Sequence, residues 1–116
     1  MVSWNNLDTL SSYKELADVK PACLTEVMSG DNGAERVKNY SVPMAAGLSY
    51  NYASKQVNEN VLAALEKLAD EAQLADKFKA LYNGEVVNTG EKRLVLHHMT
   101  RGQLGDAVEA DGVDKR

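Results

Sequence analysis

Apolar residues recur along most of this chain at the three-to-four-residue spacing of a helix buried on one face, and one middle stretch breaks that rhythm. Trp4, Leu7, Leu10, Tyr13, Leu16 and Ala17 keep the spacing, so the opening stretch predicts one amphipathic helix with Ser3 or Asn6 as its cap. Pro21 ends that helix or starts the next, because proline is tolerated in a first helical turn and not inside a helix. Leu24, Val27 and Met28 predict a short second helix, stopped by Gly30-Asp31-Asn32-Gly33.

The rhythm then changes. Tyr40 to Met44 and Leu48 to Tyr52 are β-prone runs, and Ala45-Ala46-Gly47 between them has the length of a hairpin loop, with glycine available for a positive φ. Pro43 confines the first of these strands to an edge or shortens it. Asn58 caps the clearest helix, where Val61, Leu62, Leu65, Leu68, Ala69 and Ala72 form one apolar stripe. Glu59, Glu66, Lys67, Asp70 and Glu71 take its other side. A further helix through Leu74, Phe78, Leu81 and Tyr82 closes at Gly84 in a C-cap. The fold class predicted is mainly α with a short β-hairpin. After Arg101 the text turns glycine-rich and acidic, and residues 106–116 are expected to be a loosely held tail.

Composition narrows the partners. The chain has 116 residues, enough for one domain or part of one, and 44% of them are hydrophobic, so a packed core is the expectation. The net charge of −4 argues against a nucleic-acid surface, which requires a basic face. No window reaches the roughly 18 consecutive apolar residues of a membrane span, and MVSWNNLDTL is not a signal peptide. Cys23 is the only cysteine, which fits a reducing compartment, so a cytoplasmic location is expected.

Candidate chemistry concentrates in GEVVNTGEKRLVLHHMTR, residues 84–101. Asn88 and Glu91 have capping-box spacing: the amide side chain can take the Glu91 N–H, and the carboxylate can reach back at the start of a helix. His97-His98 invites a metal or general-base reading, but neighbouring residues point apart and no further ligand stands at metal spacing. A structural or surface pair is preferred. Glu85 and Glu91 could form a carboxylate pair, although capping explains Glu91 and Glu85 has no evident partner. Arg36, Arg93 and Arg101 could bind a sugar phosphate or could hydrogen-bond carbonyls and carboxylates, and the structural use is preferred. Cys23 could be a nucleophile, but both histidines are remote in sequence and no motif surrounds it, so a half-buried small apolar residue is preferred. The chain lacks the Lys-Ser/Thr of a phosphate-binding P-loop.

The same stretch resembles the pattern G-E-x-[IV]-N-x-[ST]-E-x-R-x-V-L-H-x-x-x-R of the glucose-6-phosphate isomerase (phosphoglucose isomerase) family. Gly84, Glu85, Val87, Asn88, Glu91, Arg93, Val95, Leu96, His97 and Arg101 fall on it without a gap, and only the hydroxyl of Thr89 comes one place early. Arg36, Val37, Tyr40 and Ser41 are similar to a second family pattern, R-[FV]-x-x-[FY]-S. Tyr50 to Lys55 resembles a D-[YF]-S-K segment in an ambiguous register, so no role is carried onto those positions.

The resemblance implies aldose–ketose isomerisation of glucose 6-phosphate and fructose 6-phosphate, without a metal or cofactor, in glycolysis and gluconeogenesis. It implies ring opening and a cis-enediol, with a glutamate base and assisting histidine and lysine. Those groups belong to the family's two sugar-isomerase domains, α-β-α sandwiches whose motifs do not occur here. Residues 1–105 are therefore expected to be the N-terminal helical segment of an α/β enzyme, without catalytic, cofactor-binding or metal positions. Gly84, Glu85, Asn88, Glu91, Arg93, His97 and Arg101 are expected to be structural. The implied partners are the catalytic domains of the same enzyme, a homodimer as parent, and self-association through an exposed docking face when those domains are missing. The alternative is a stand-alone helical binding or regulatory module, which requires a complete core and a polar exterior.

Overall fold

The computed structural model describes residues 2–101 and, beyond them, the backbone of two short paired strands, 109–110 and 113–114. The elements are α1 (Ser11–Asp18), α2 (Leu24–Ser29), α3 (Gly33–Asn39), β1 (Ser41–Pro43), β2 (Ser49–Asn51), α4 (Glu59–Glu71), α5 (Leu74–Tyr82), β3 (Val86–Asn88) and β4 (Arg93–Leu94). Strands β5 (Glu109–Ala110) and β6 (Val113–Asp114) follow. Among the described residues each strand pairs only with its sequence neighbour, antiparallel, giving three two-stranded ribbons in a mainly helical chain. The side chains and order of the acidic tail, residues 106–116, lie outside the described residues.

The chain divides into two compact units, residues 14–66 and residues 1–13 with 67–116. In the unit of residues 14–66, α2 ends at Ser29 and the chain turns directly into α3. Gly33 is required there: a Cβ at this buried position would lie 2.2 Å from the Met28 carbonyl oxygen. It opens a helix as well as closing a loop. The β1–β2 hairpin pairs Ser41 with Asn51, Val42 with Tyr50 and Pro43 with Ser49. A short 3-10 turn at Ala45–Gly47 links the strands. Gly47 takes the expected positive φ of 73°, and Ala46 shares that region at 59°. Pro43 is tolerated because both strands of a lone ribbon are edges. Asn58 caps α4 through its side-chain oxygen, which accepts the Val61 N–H at 3.0 Å.

The other unit departs from the predicted opening helix. Leu7–Thr9 is a single 3-10 turn, Leu10 is extended with φ −84° and ψ 143°, and the α-helix starts only at Ser11. Neither expected cap acts through its side chain: Asn6 makes no side-chain cap bond, and the Ser3 N–H donates to the Gln73 side-chain oxygen at 2.8 Å. Glu71 supplies the cap from far along the sequence. One carboxylate oxygen accepts the Ser11 hydroxyl at 3.0 Å and the other accepts the Ser12 N–H at 2.8 Å. Gln73, in left-handed conformation at φ 57°, separates α4 from α5.

The interior is the least expected feature. Its buried apolar residues are Ala22, Ala53, Ala64, Ala72 and Ala80, and no large side chain among the described residues is fully buried. Leucines and aromatics on the predicted stripes are half-buried or exposed instead: Leu65 is 40% accessible, Leu74 60% and Phe78 63%. The periodicity is real, but the surface it prepares is only partly used within this chain.

Candidate functional site

The segment of residues 84–101 begins on a complete helix stop. The Glu85 N–H reaches back to the Ala80 carbonyl at 2.9 Å and the Gly84 N–H to that of Leu81 at 3.1 Å. This pair of hydrogen bonds requires a left-handed residue at the first donor, and Gly84 provides it with φ 76°. Glu85, next along the chain, is exposed.

Beyond it, the Asn88–Glu91 pair makes the predicted contact in a different setting. Asn88 Oδ1 accepts the Glu91 N–H at 3.2 Å, and Asn88 Nδ2 donates to the Glu91 carboxylate at 3.2 Å. No helix follows. The pair closes the turn of the β3–β4 hairpin, with a bulge between Val86 and Asn88 and with Lys92 at a positive φ of 55°. The expected helix dipole is therefore absent at Glu91. Asn suits a hairpin turn as well as a helix start, since its side chain bonds its own backbone in both. Arg93 lies 3.7 Å from Glu91, a water-exposed ion pair of small energetic weight.

The two histidines separate as neighbours on a turn must. His97 is exposed at the start of a 3-10 turn, His97–Arg101, whose last residue Arg101 is also exposed. His98 is the embedded one. Its ring stacks on Tyr82 at 4.6 Å, and its Nε2 lies 3.1 Å from the Tyr82 carbonyl oxygen, so that nitrogen carries the proton. The tether joins the end of α5 to the 3-10 turn.

Arg36 is the most heavily bonded cation described. It leaves α3 and donates to three carbonyls of the segment after β2: Nε to Ala53 at 2.9 Å, one terminal nitrogen to Lys55 at 3.0 Å and Val57 at 2.9 Å. Its guanidinium also covers the Tyr40 ring at 4.2 Å. Tyr40 in turn stacks on Tyr52 at 5.0 Å and donates its hydroxyl to Glu59 at 3.1 Å. Burial, then the Glu59 hydrogen bond and negative charge, push the Tyr40 hydroxyl above its usual range, against a smaller opposing effect of Arg36. Asn51 completes the clamp, donating to the Val37 carbonyl at 2.6 Å and accepting the Ala53 N–H at 3.0 Å. Apart from Val57 and Glu59, these positions fall in the Arg36–Ser41 and Tyr50–Lys55 patterns.

The arrangement holds a backbone shape. Arg36 spends its donors on carbonyls, while Arg93 and Arg101 are exposed. Among the described residues no group of three or more His, Cys, Asp or Glu side chains could hold a metal ion. Cys23 is exposed, contrary to the half-buried expectation, because it stands at the cap position before α2, outside the helix and its apolar spacing. Sequence reasoning missed the Glu71 cap and the His98–Tyr82 stack, since neither has a spacing signal. No described helix is long and apolar enough to cross a membrane.

Comparison with known proteins accounts for the signature. The Phosphoglucose isomerase family model matches residues 51–116, more than half of the chain. Glucose-6-phosphate isomerase of Treponema denticola is 44% identical over 120 residues, covering 99% of this chain and 23% of that enzyme. The enzyme of Treponema pallidum is 48% identical over 100 residues, 86% of this chain and 19% of its own length. That of Borreliella afzelii is 44% identical over 112 residues, 96% of this chain and 20% of its length. The chain thus spans about a fifth of the length of the curated relatives it matches. With the family model matching more than half of its residues, and with relatives 44–48% identical over 86–99% of its length, the chain belongs to the phosphoglucose isomerase family.

Proposed function

We propose that this chain is the N-terminal structural segment of a cytoplasmic glucose-6-phosphate isomerase of glycolysis and gluconeogenesis. The segment braces the catalytic sugar-isomerase domains and supplies no catalytic residue of its own. Gly84, Glu85, Asn88, Glu91, Arg93, His97 and Arg101 serve its shape, and the parent enzyme assembles as a homodimer. One observation carries the reading: the fully sequestered apolar side chains are alanines, while leucines and aromatics line the surface. Such surface suits a piece whose apolar faces are completed by further polypeptide, and it disfavours a stand-alone module with a finished core. The exposed setting of Glu85 and Glu91 also supports a non-catalytic role, because no low-dielectric pocket surrounds either carboxylate.

A coupled assay for glucose 6-phosphate and fructose 6-phosphate interconversion tests it. The purified 116 residues are expected to give no turnover above buffer, and the longer polypeptide that carries them full activity. Turnover by the short chain would overturn the assignment.

A further inference from the structure

The unit of residues 14–66 contains a groove of about 410 Å³ between the β1–β2 hairpin and the first half of α4. Val42, Tyr50, Tyr52, Val57, Leu62 and Leu65 line it, and Lys55 adds an ammonium. Val42, Tyr50 and Leu65 remain 44%, 47% and 40% accessible, so the groove is open to an occupant. Its walls are already fixed. Tyr52 is held between Tyr40 and Tyr50, at ring distances of 5.0 and 6.2 Å. The backbone behind it, from Ala53 to Val57, hangs on the three Arg36 bonds. An apolar groove whose walls are already held in place loses little entropy when filled, the situation in which an apolar segment docks well.

We infer that this groove seats an apolar segment of the same polypeptide, drawn from the roughly four-fifths of the parent that this chain does not span, with a carboxylate facing Lys55. The inference rests on the proposed function and specifies which face does the bracing. Two arguments select this occupant. The relatives are four to five times longer than the matched region, so apolar polypeptide is available in cis at high effective concentration. A second copy is a poor fit, because a two-fold contact sets the same surface against itself and two concave grooves leave a void between them. No carboxylate among the described residues pairs with Lys55, which leaves its charge to the incoming segment.

The test introduces Leu65→Cys, and separately Tyr50→Cys, into both the 116-residue chain and the longer polypeptide that carries it. A charged maleimide is applied, and labelling is followed by mass spectrometry on the peptide holding the new cysteine. Both positions are expected to react on the order of tenfold or more slowly in the longer polypeptide, as sequestered side chains do. Equal rates in the two contexts would overturn the inference. So would protection that appears only as protein concentration rises, since a second copy would then fill the groove. Isomerase activity recorded on the same samples separates the two readings: an active enzyme with a freely labelled groove removes this inference and leaves the proposed function standing.

Discussion

Arg36 shows how one side chain can set a fold. Its three carbonyl partners belong to consecutive turns of an otherwise irregular connector, Ala53 to Val57, that has few ladder bonds of its own. A planar five-donor group can serve three carbonyls at once, whereas an ammonium on a flexible stem cannot hold the same fork. Arg36→Lys is therefore expected to destabilise the segment by about 1–3 kcal/mol despite conserving charge, the usual cost of losing bonds to a charged donor. Urea unfolding of wild type and variant at equal pH measures this, and an unchanged midpoint would contradict the clamp. The sequence allowed this residue a structural or a phosphate-binding role, and only the positions of its acceptors decide between them. Carbonyls leave no trace in side-chain spelling. Gly84 was legible for the opposite reason, because a helix stop with positive φ has a strong residue preference that the sequence displays.

Among the elements, α1 carries the clearest difference between local spelling and actual support. Its periodic apolar positions extend back to Trp4, yet the helix begins at Ser11, where the Glu71 carboxylate takes the N–H groups that open it. Leu10 is extended, the usual backbone of the residue that precedes a helix start. The same contact gives a pH dependence. Chiefly the Ser12 hydroxyl, which lies beside the carboxylate without a well-aligned bond, and the Ser12 N–H hold the Glu71 carboxyl below its ordinary range. Desolvation opposes this, and the Ser11 groups add a smaller lowering. A lowered folded-state pKa means the fold favours the ionised form, so the stabilisation is complete above the unfolded carboxylate pKa and is lost as pH falls through the folded value. Amide exchange at Ser11 and Ser12 is thus expected to accelerate, relative to the rest of α1, as pH drops from neutral into the carboxylate range. Glu71→Gln should flatten that dependence, and an equally steep profile in the variant would assign it elsewhere. The capping of α4 by Asn58 was readable because donor and acceptor lie three residues apart. The capping of α1 was not, because its partners stand 59 and 60 residues away.

At the scale of the whole molecule, the exposed apolar surface governs behaviour in solution. On α4 and α5, Ala69, Leu74, Ala75 and Phe78 border an open apolar depression of about 540 Å³, with Asp70 and Lys79 at its sides. Two of these side chains, Leu74 and Phe78, are more than half accessible. Helical periodicity made the stripe legible, but periodicity states only that a face is apolar and not what covers it. Separated from further polypeptide, the 116-residue chain is expected to bury this face against other copies. A Leu or Phe moved from water to a packed contact contributes about 1.5–3 kcal/mol, and each 1.4 kcal/mol is tenfold in a dissociation constant. Replacing Phe78 by Ser should therefore weaken self-association by roughly tenfold or more, and Leu74→Ser should act in the same direction. Sedimentation velocity across a concentration series reads both effects directly. A wild-type chain that stays monomeric at every concentration would mean that this face tolerates water and takes no part in association. Loss of oligomers in the Phe78 variant, with an unchanged helical circular dichroism spectrum, would locate the sticky surface on α5 and leave the fold itself intact.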